Sequence, residues 1–357
     1  MGSKKNLYPI IKVASTCNLQ CSYCSADDYM NHQRDSIMTR EVLRRTIEEL
    51  GRVRDRGTFL WHGGEALLAG RSFFEEIVTI QRELGLKRYK NAVQTNGILM
   101  SDDWAEFLKD EQFQVGISID GPEAMHNELR VFRNGAGSYK QVMRAVKLLE
   151  DHQRSFGVLV VITRQSVMHG EKIFDFLIEH SIKSFDFKPC YGDPRYDVSL
   201  IEFAQMLCRV FDRLVALDDP DIHIRTLEGF IKNLLGGNSG LCSQTGNCTN
   251  LITIDHDGEV YPCDRFIEPR FRFGNIMETP LDELWQDSEG ANRFRELVAE
   301  QRIKCASCSY APVCKSGCTQ EIEYWPDEYC EHRAIVIDHI RDWLVSQGEE
   351  PISVNLK

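Results

Sequence analysis

The sequence predicts an α/β protein, a partial (β/α)6 barrel followed by a small cysteine-rich domain. Three observations carry this reading: six short β-rich runs between residue 8 and about 190, amphipathic stretches between them, and eight cysteines crowded between positions 242 and 330. The runs are "LYPIIKVAS", "GTFLWHGG", "NAVQTNG", "QVGISIDG", "FGVLVVIT" and "SFDFKP". Between them, "TREVLRRTIEELGRVRD", "SYKQVMRAVKLLEDH" and "GEKIFDFLIEH" read as helices. In the first of these, Thr39 can cap the helix, and Leu43, Ile47 and Leu50 share one face. Parallel neighbours need crossover connections, so repeated strand–helix units give a parallel sheet with helices outside. Six units are too few to close an eight-stranded barrel, and function is expected on the loops after the strand C-termini.

Residues 199 to 237 read as mainly helical, and "GGNSG" then breaks the pattern. "LITIDHDGEVYPC" reads as a hairpin around Asp257-Gly258. A helix around "LDELW", the run "CASCSYAPVCKSGC" and a helix from about Arg333 to Val345 complete the chain. The expected organisation is a barrel over 1–200, a helical bridge over 201–240, a cysteine-rich domain over 241–332 and a C-terminal helix and tail over 333–357.

Composition narrows the function. With 42% apolar and 27% charged residues, the chain is globular rather than disordered. No apolar run is long enough to span a membrane. The start, "MGSKKNLYPI", lacks the apolar core of a secretory signal and resembles an expression scar ahead of native sequence, so a cytoplasmic location is expected. A formal charge of −12 counts against a nucleic-acid partner, which needs a basic face. Thirteen cysteines without an export signal point to metal or redox use rather than disulfides.

In "CNLQCSYC", Cys17, Cys21 and Cys24 directly follow the first strand run. Three thiolates can hold a [4Fe–4S] cube by three irons and leave the fourth open. The same residues are compatible with a zinc site completed by a distant ligand, or with buried structural cysteines. The other strand ends supply "WHGGE", "QTNG" and "SIDGP", and "HNELRVFRNGAGSY" follows. In this order and spacing, the motifs resemble those of radical S-adenosylmethionine (SAM) enzymes. That resemblance implies that SAM occupies the open iron of the cluster on Cys17, Cys21 and Cys24. It further implies SAM contacts from Gly63, Gly64 and Glu65 at its amino group, Asn96 and Ser118 at the ribose or methionine, Arg130 at the carboxylate and Tyr23 near the adenine.

Cys248, Gly258, Cys263, Cys305, Cys308, Cys314, Cys318 and Cys330 are similar in order and spacing to the SPASM domain, a C-terminal extension of many radical SAM enzymes that modify peptides. Cys242 adds an eighth thiol. Paired cysteines two residues apart also occur in zinc ribbons, the competing reading. The family's connectivity implies one auxiliary [4Fe–4S] cluster on Cys242, Cys248, Cys263 and Cys318. It implies a second on Cys305, Cys308, Cys314 and Cys330, making three clusters in all. Cys208 reads as core, whereas Cys190, ending the sixth strand, is a candidate substrate contact.

Within this group the chain resembles anaerobic sulfatase-maturing enzymes and maturases of ribosomally made peptides. Asp264, next to Cys263, falls where the former place a carboxylate proposed as general base; hydrogen bonding around the cluster loop is the alternative role. Ser25 replaces the usual aromatic after the third cysteine, and "TQEIEYWPDEYC" departs from the sulfatase-maturing pattern. These departures favour an oxidising or cross-linking peptide maturase, with formylglycine formation on a sulfatase second. Small-molecule dehydrogenation or epimerisation, and a non-enzymatic iron–sulfur carrier, come after these. The implied partners are a peptide or protein substrate and a flavodoxin- or ferredoxin-type electron donor, with neither nucleic acid nor membrane.

Overall fold

Thr39 is extended, and its Oγ1 accepts from Val42 N at 3.2 Å, so the helix Arg40–Val53 starts where the sequence offers a cap. Glu41 in its first turn and Arg52 in its last suit the helix dipole, and Leu43, Ile47 and Leu50 are buried. The computed structural model describes residues 7–24, 36–152 and 155–353. In chain order its strands are β1 (Tyr8–Ala14), β2 (Gly57–Gly63), β3 (Tyr89–Thr95), β4 (Gln114–Ser118), β5 (Phe156–Ile162), β6 (Ser184–Pro189), β7 (His223–Ile224), β8 (Leu251–Ile254), β9 (Glu259–Tyr261) and β10 (Gly274–Asn275). The first six are the runs expected from the sequence.

Two compact units emerge, each drawn from three stretches of chain. Residues 1–118, 130–156 and 249–296 form the first; residues 119–129, 157–248 and 297–357 form the second. The first unit orders its strands β10-β9-β8-β1-β2-β3-β4. Neighbours from β8 through β4 run parallel, and β8, β9 and β10 form an antiparallel meander. The hairpin predicted around Asp257-Gly258 is present, with Gly258 at φ +88°. The sequence did not reveal that β8 also pairs in parallel with β1, Tyr8 opposite Leu251 and Ile11 opposite Ile254. Side chains fasten this late segment to the early helix: Glu49 Oε2 accepts from Leu281 N at 2.8 Å, and Arg45 Nε donates to Ile276 O at 3.1 Å. Beneath β2 and β3, Asn91 Oδ1 accepts from Trp61 Nε1 at 3.0 Å and from Gln81 Nε2 at 2.9 Å, satisfying a buried polar group.

In the second unit β5, β6 and β7 are parallel, with Val158 opposite Phe185 and Ser184 opposite His223. Two long helices, Leu200–Leu217 and Tyr329–Ser346, pack through Phe211, whose ring lies edge-on to Trp343 at 5.3 Å. Just ahead of the second helix, Glu328 caps the first: its Oε2 accepts from Ser199 Oγ at 2.9 Å and Leu200 N at 2.6 Å. Among the described residues, no helix is long and apolar enough to cross a membrane.

Candidate active site

The loop leaving β1 is laced to the loop leaving β2. Ala14 O accepts from Gly64 N at 2.8 Å, and Thr16 O accepts from Glu65 N at 2.9 Å. Gly63 has φ +133°, and a Cβ there would lie 2.4 Å from Ala14 O, so only glycine fits. Leu19 N donates to Cys17 Sγ at 3.4 Å, and Asn96 Nδ2 reaches Cys17 Sγ at 3.6 Å and Asn18 Oδ1 at 2.7 Å. Cys24 N donates to Cys21 O at 3.1 Å, and Gln20 N to Val131 O at 2.8 Å. Burial pushes the Cys17 thiol up to about 11, with Glu65 and Cys24 adding and the Leu19 and Asn96 donors opposing. Such a thiol stays protonated until a metal draws the proton off.

Glu65 organises the strand ends. Its Oε1 accepts from Leu67 N at 3.0 Å and Thr95 Oγ1 at 2.6 Å, and its Oε2 from Asn96 N at 2.7 Å. Ser118 Oγ accepts from Gln94 Nε2 at 3.1 Å. Arg130 is buried, its guanidinium 5.5 Å from the Tyr23 ring. A cavity of about 670 Å³, lined in part by Thr16, Cys17, Asn18, Ile37, Leu68 and Phe132, opens beside the cysteine loop. The buried Asn18 Nδ2 has no acceptor among the described residues, so a donor faces this region ready for a ligand. Ser25 lies outside the described residues.

A buried charged group that sequence reasoning missed sits on the neighbouring strands. Lys12 on β1 is opposite His62 on β2, and Asp255 follows Ile254, the β8 partner of Ile11. Lys12 is 6% exposed; burial lowers its pKa, while Asp255, Asp264 and Cys24 act to raise it. Burial also lowers His62, with Asp264 opposing and Lys12 assisting. Gly63 N donates to His62 Nδ1 at 2.7 Å, placing the proton of a neutral ring on Nε2. Asp264 therefore acts electrostatically on both Lys12 and His62. The only sequence signal was a lysine inside the apolar strand "IIKVA".

Cys263 is buried after β9 in the first unit, and the other C-terminal cysteines belong to the second. Burial raises the Cys330 thiol, and Cys314, Cys305 and Cys308 add to the shift. Burial raises Cys248 as well, opposed by hydrogen bonds with Thr319, the neighbour of Cys318. Between Cys314 and Cys318 the chain passes through three consecutive left-handed residues, Lys315 (φ 55°), Ser316 (φ 66°) and Gly317 (φ 64°). A Cβ on Gly317 would lie 2.1 Å from the Tyr329 hydroxyl, which accepts from Cys318 N at 2.7 Å. Cys190 is 4% exposed, its thiol pushed up to about 12 by burial and by Asp197, Asp120 and Asp193. Cys208, likewise pushed up to about 12 chiefly by burial, has Sγ 4.0 Å from Ile335 O. All thirteen cysteines are free of disulfides.

Residues 11–177 match the Radical SAM superfamily, and residues 242–315 match SPASM, an iron–sulfur cluster-binding domain. A cysteine-type anaerobic sulfatase-maturating enzyme of Clostridium perfringens is 31% identical, covering 90% of this chain and 94% of the relative. A serine-type counterpart from Bacteroides thetaiotaomicron is 28% identical, covering 88% and 83%. The solved structure of native anSMEcpe with bound AdoMet and Cp18Cys peptide superposes with a TM-score of 0.85 at 28% identity, covering 96% of this chain and 98% of that one. The chain belongs to the radical SAM enzymes with a C-terminal SPASM domain, in the family of the anaerobic sulfatase-maturating enzymes. Its cofactors are SAM and three iron–sulfur clusters, and its strands form the partial barrel of that fold.

Proposed function

We propose that this enzyme oxidises a cysteine or serine side chain of a protein substrate to an aldehyde, the formylglycine chemistry of sulfatase maturation. This places sulfatase-type maturation ahead of the peptide cross-linking favoured by the sequence departures, and the kinship across nearly the whole chain supports that order. The observation that carries the proposal is the setting of Asp264, a carboxylate adjoining Cys263 and acting on Lys12 and His62. Converting a serine side chain to an aldehyde removes one hydrogen atom, one electron and one proton. A cysteine loses the same and then exchanges its sulfur for the oxygen of water. Asp264 is the proton acceptor in this scheme.

Bound here, SAM and its cluster supply the hydrogen-atom acceptor, and the C-terminal clusters supply the electron acceptor. Cys17, Cys21 and Cys24 are the proposed ligands of the first cluster. Cys242, Cys248, Cys263 and Cys318 form the second set, and Cys305, Cys308, Cys314 and Cys330 the third. The buried free donor of Asn18 and the glycine-only contact at Gly63 suit this assignment. Gly63, Gly64, Asn96, Ser118, Arg130 and Tyr23 hold SAM, while Glu65 shapes the site from behind through its three bonds. Cys190 contacts substrate as a neutral thiol. The motif-bearing segments 1–200, 201–240, 241–332 and 333–357 are the functional divisions. A flavodoxin- or ferredoxin-type protein in the cytoplasm supplies electrons.

The test is anaerobic reconstitution followed by reaction with peptides carrying cysteine or serine at the target position. Mass spectrometry after hydroxylamine trapping should find an aldehyde. In D264N, SAM cleavage should persist while product formation falls about 10²–10⁴-fold. Loss of two hydrogens with no trappable aldehyde, and a new bond between residues, would establish cross-linking instead.

A further inference from the structure

Side chains tie together the segments that carry Cys242 and Cys314. Asn233 Nδ2 donates to Gln244 O at 2.7 Å and to Val313 O at 2.9 Å. Gly246 approaches Lys315 so closely that a Cβ would lie 2.9 Å from its carbonyl oxygen. Arg333 reaches into the same place from one helical turn beyond Cys330. Its Nη2 donates to Ser243 O at 3.2 Å and to Cys314 O at 3.4 Å, and its Cζ lies 4.4 Å from the Phe230 ring centre.

Arg333 is 4% exposed, and its Nε–H has no acceptor among the described residues. No carboxylate stands within ion-pair distance among the ion pairs described, and Cys314 is the charge that acts on it most strongly. Desolvating a cation without a paired carboxylate is costly, and the groups that favour the cation here are Cys314 first, then Tyr329 and Glu321.

We propose that Arg333 raises the reduction potential of the cluster held by Cys305, Cys308, Cys314 and Cys330, acting as a positioning residue for its electron transfer. A [4Fe–4S] cluster on four thiolates carries one more negative charge when reduced than when oxidised. A fixed buried cation stabilises the reduced form more, and the free Nε–H is a donor for a thiolate or sulfide sulfur. Arginine does not deprotonate in proteins, so the effect is constant with pH. The inference rests on the assignment of these cysteines to a cluster, and not on the identity of the substrate.

The test uses full-length protein carrying C17A, C21A and C24A, so that only the C-terminal clusters contribute. Each variant is reconstituted, assayed for iron and sulfide, and titrated by EPR against potential. R333M, and R333Q as a second neutral variant, should shift the reduced-to-oxidised ratio at fixed potential at least about tenfold toward oxidised, which is 59 mV for a one-electron couple. R333K should recover most of the shift. An unchanged midpoint in a fully loaded neutral variant overturns the proposal. So does failure of both neutral variants to load while R333K loads, because the cation would then serve assembly alone. Absence of iron from the R333 parent itself would overturn the cluster assignment, an outcome distinct from an unmoved potential.

Discussion

Glu65 is a carboxylate with no cationic partner among the described residues, held by three donors on two strand ends. In E65Q the amide nitrogen faces Asn96 N–H or Thr95, leaving a buried donor without an acceptor. The expected cost is about 1–3 kcal/mol, read as a lower thermal midpoint. Burial raises the Glu65 pKa above its ordinary value. With the folded pKa raised, the native state binds more protons between the unfolded and folded values. Glu65 therefore favours the native state as pH falls through that window, and E65Q should remove this pH-dependent contribution. His62 has the opposite sign. Burial lowers its pKa, so stability should fall as pH drops below its unfolded value near 6.5, and H62Q should flatten that limb. At this scale the cysteine groups stood out because spacing is a local property of the sequence. Lys12 and Arg333 did not, because a charged residue in a string of letters gives no sign of being buried.

Among the elements, the six strands and the capped helix Arg40–Val53 followed from alternation and capping, both short-range patterns. The pairing of β8 with β1 did not, because an alternating run specifies which face is buried and not which strand lies alongside. Likewise, Glu328 caps the helix Leu200–Leu217 across 127 or more positions of sequence, which no local pattern specifies. E328A should destabilise the protein by about 1–2 kcal/mol, measured by denaturant unfolding. The strand-end motifs were readable as a group because every one of them terminates a strand whose neighbours are parallel in the first unit.

Across the whole molecule, each compact unit takes chain from both sides of residue 240. A fragment ending there loses β8, β9 and β10 from the first unit and the helix Tyr329–Ser346 from the second. That fragment should show no cooperative thermal transition by calorimetry. A sharp transition at the parent temperature would show that the N-terminal half folds by itself. Sequence motifs divide the chain linearly, whereas contacts do not, which is why the late segment's place in the sheet was invisible beforehand.

The bridge made by Asn233 has a bearing on how long such a protein survives in air. Its two bonds to Gln244 and Val313 run between protein atoms and join the segments that carry Cys242 and Cys314. Neither bond has a metal ligand atom in it, so loss of the inorganic core removes neither of them. Damage of this kind is expected to be a matter of refilling rather than refolding, so a poisoned molecule stays repairable.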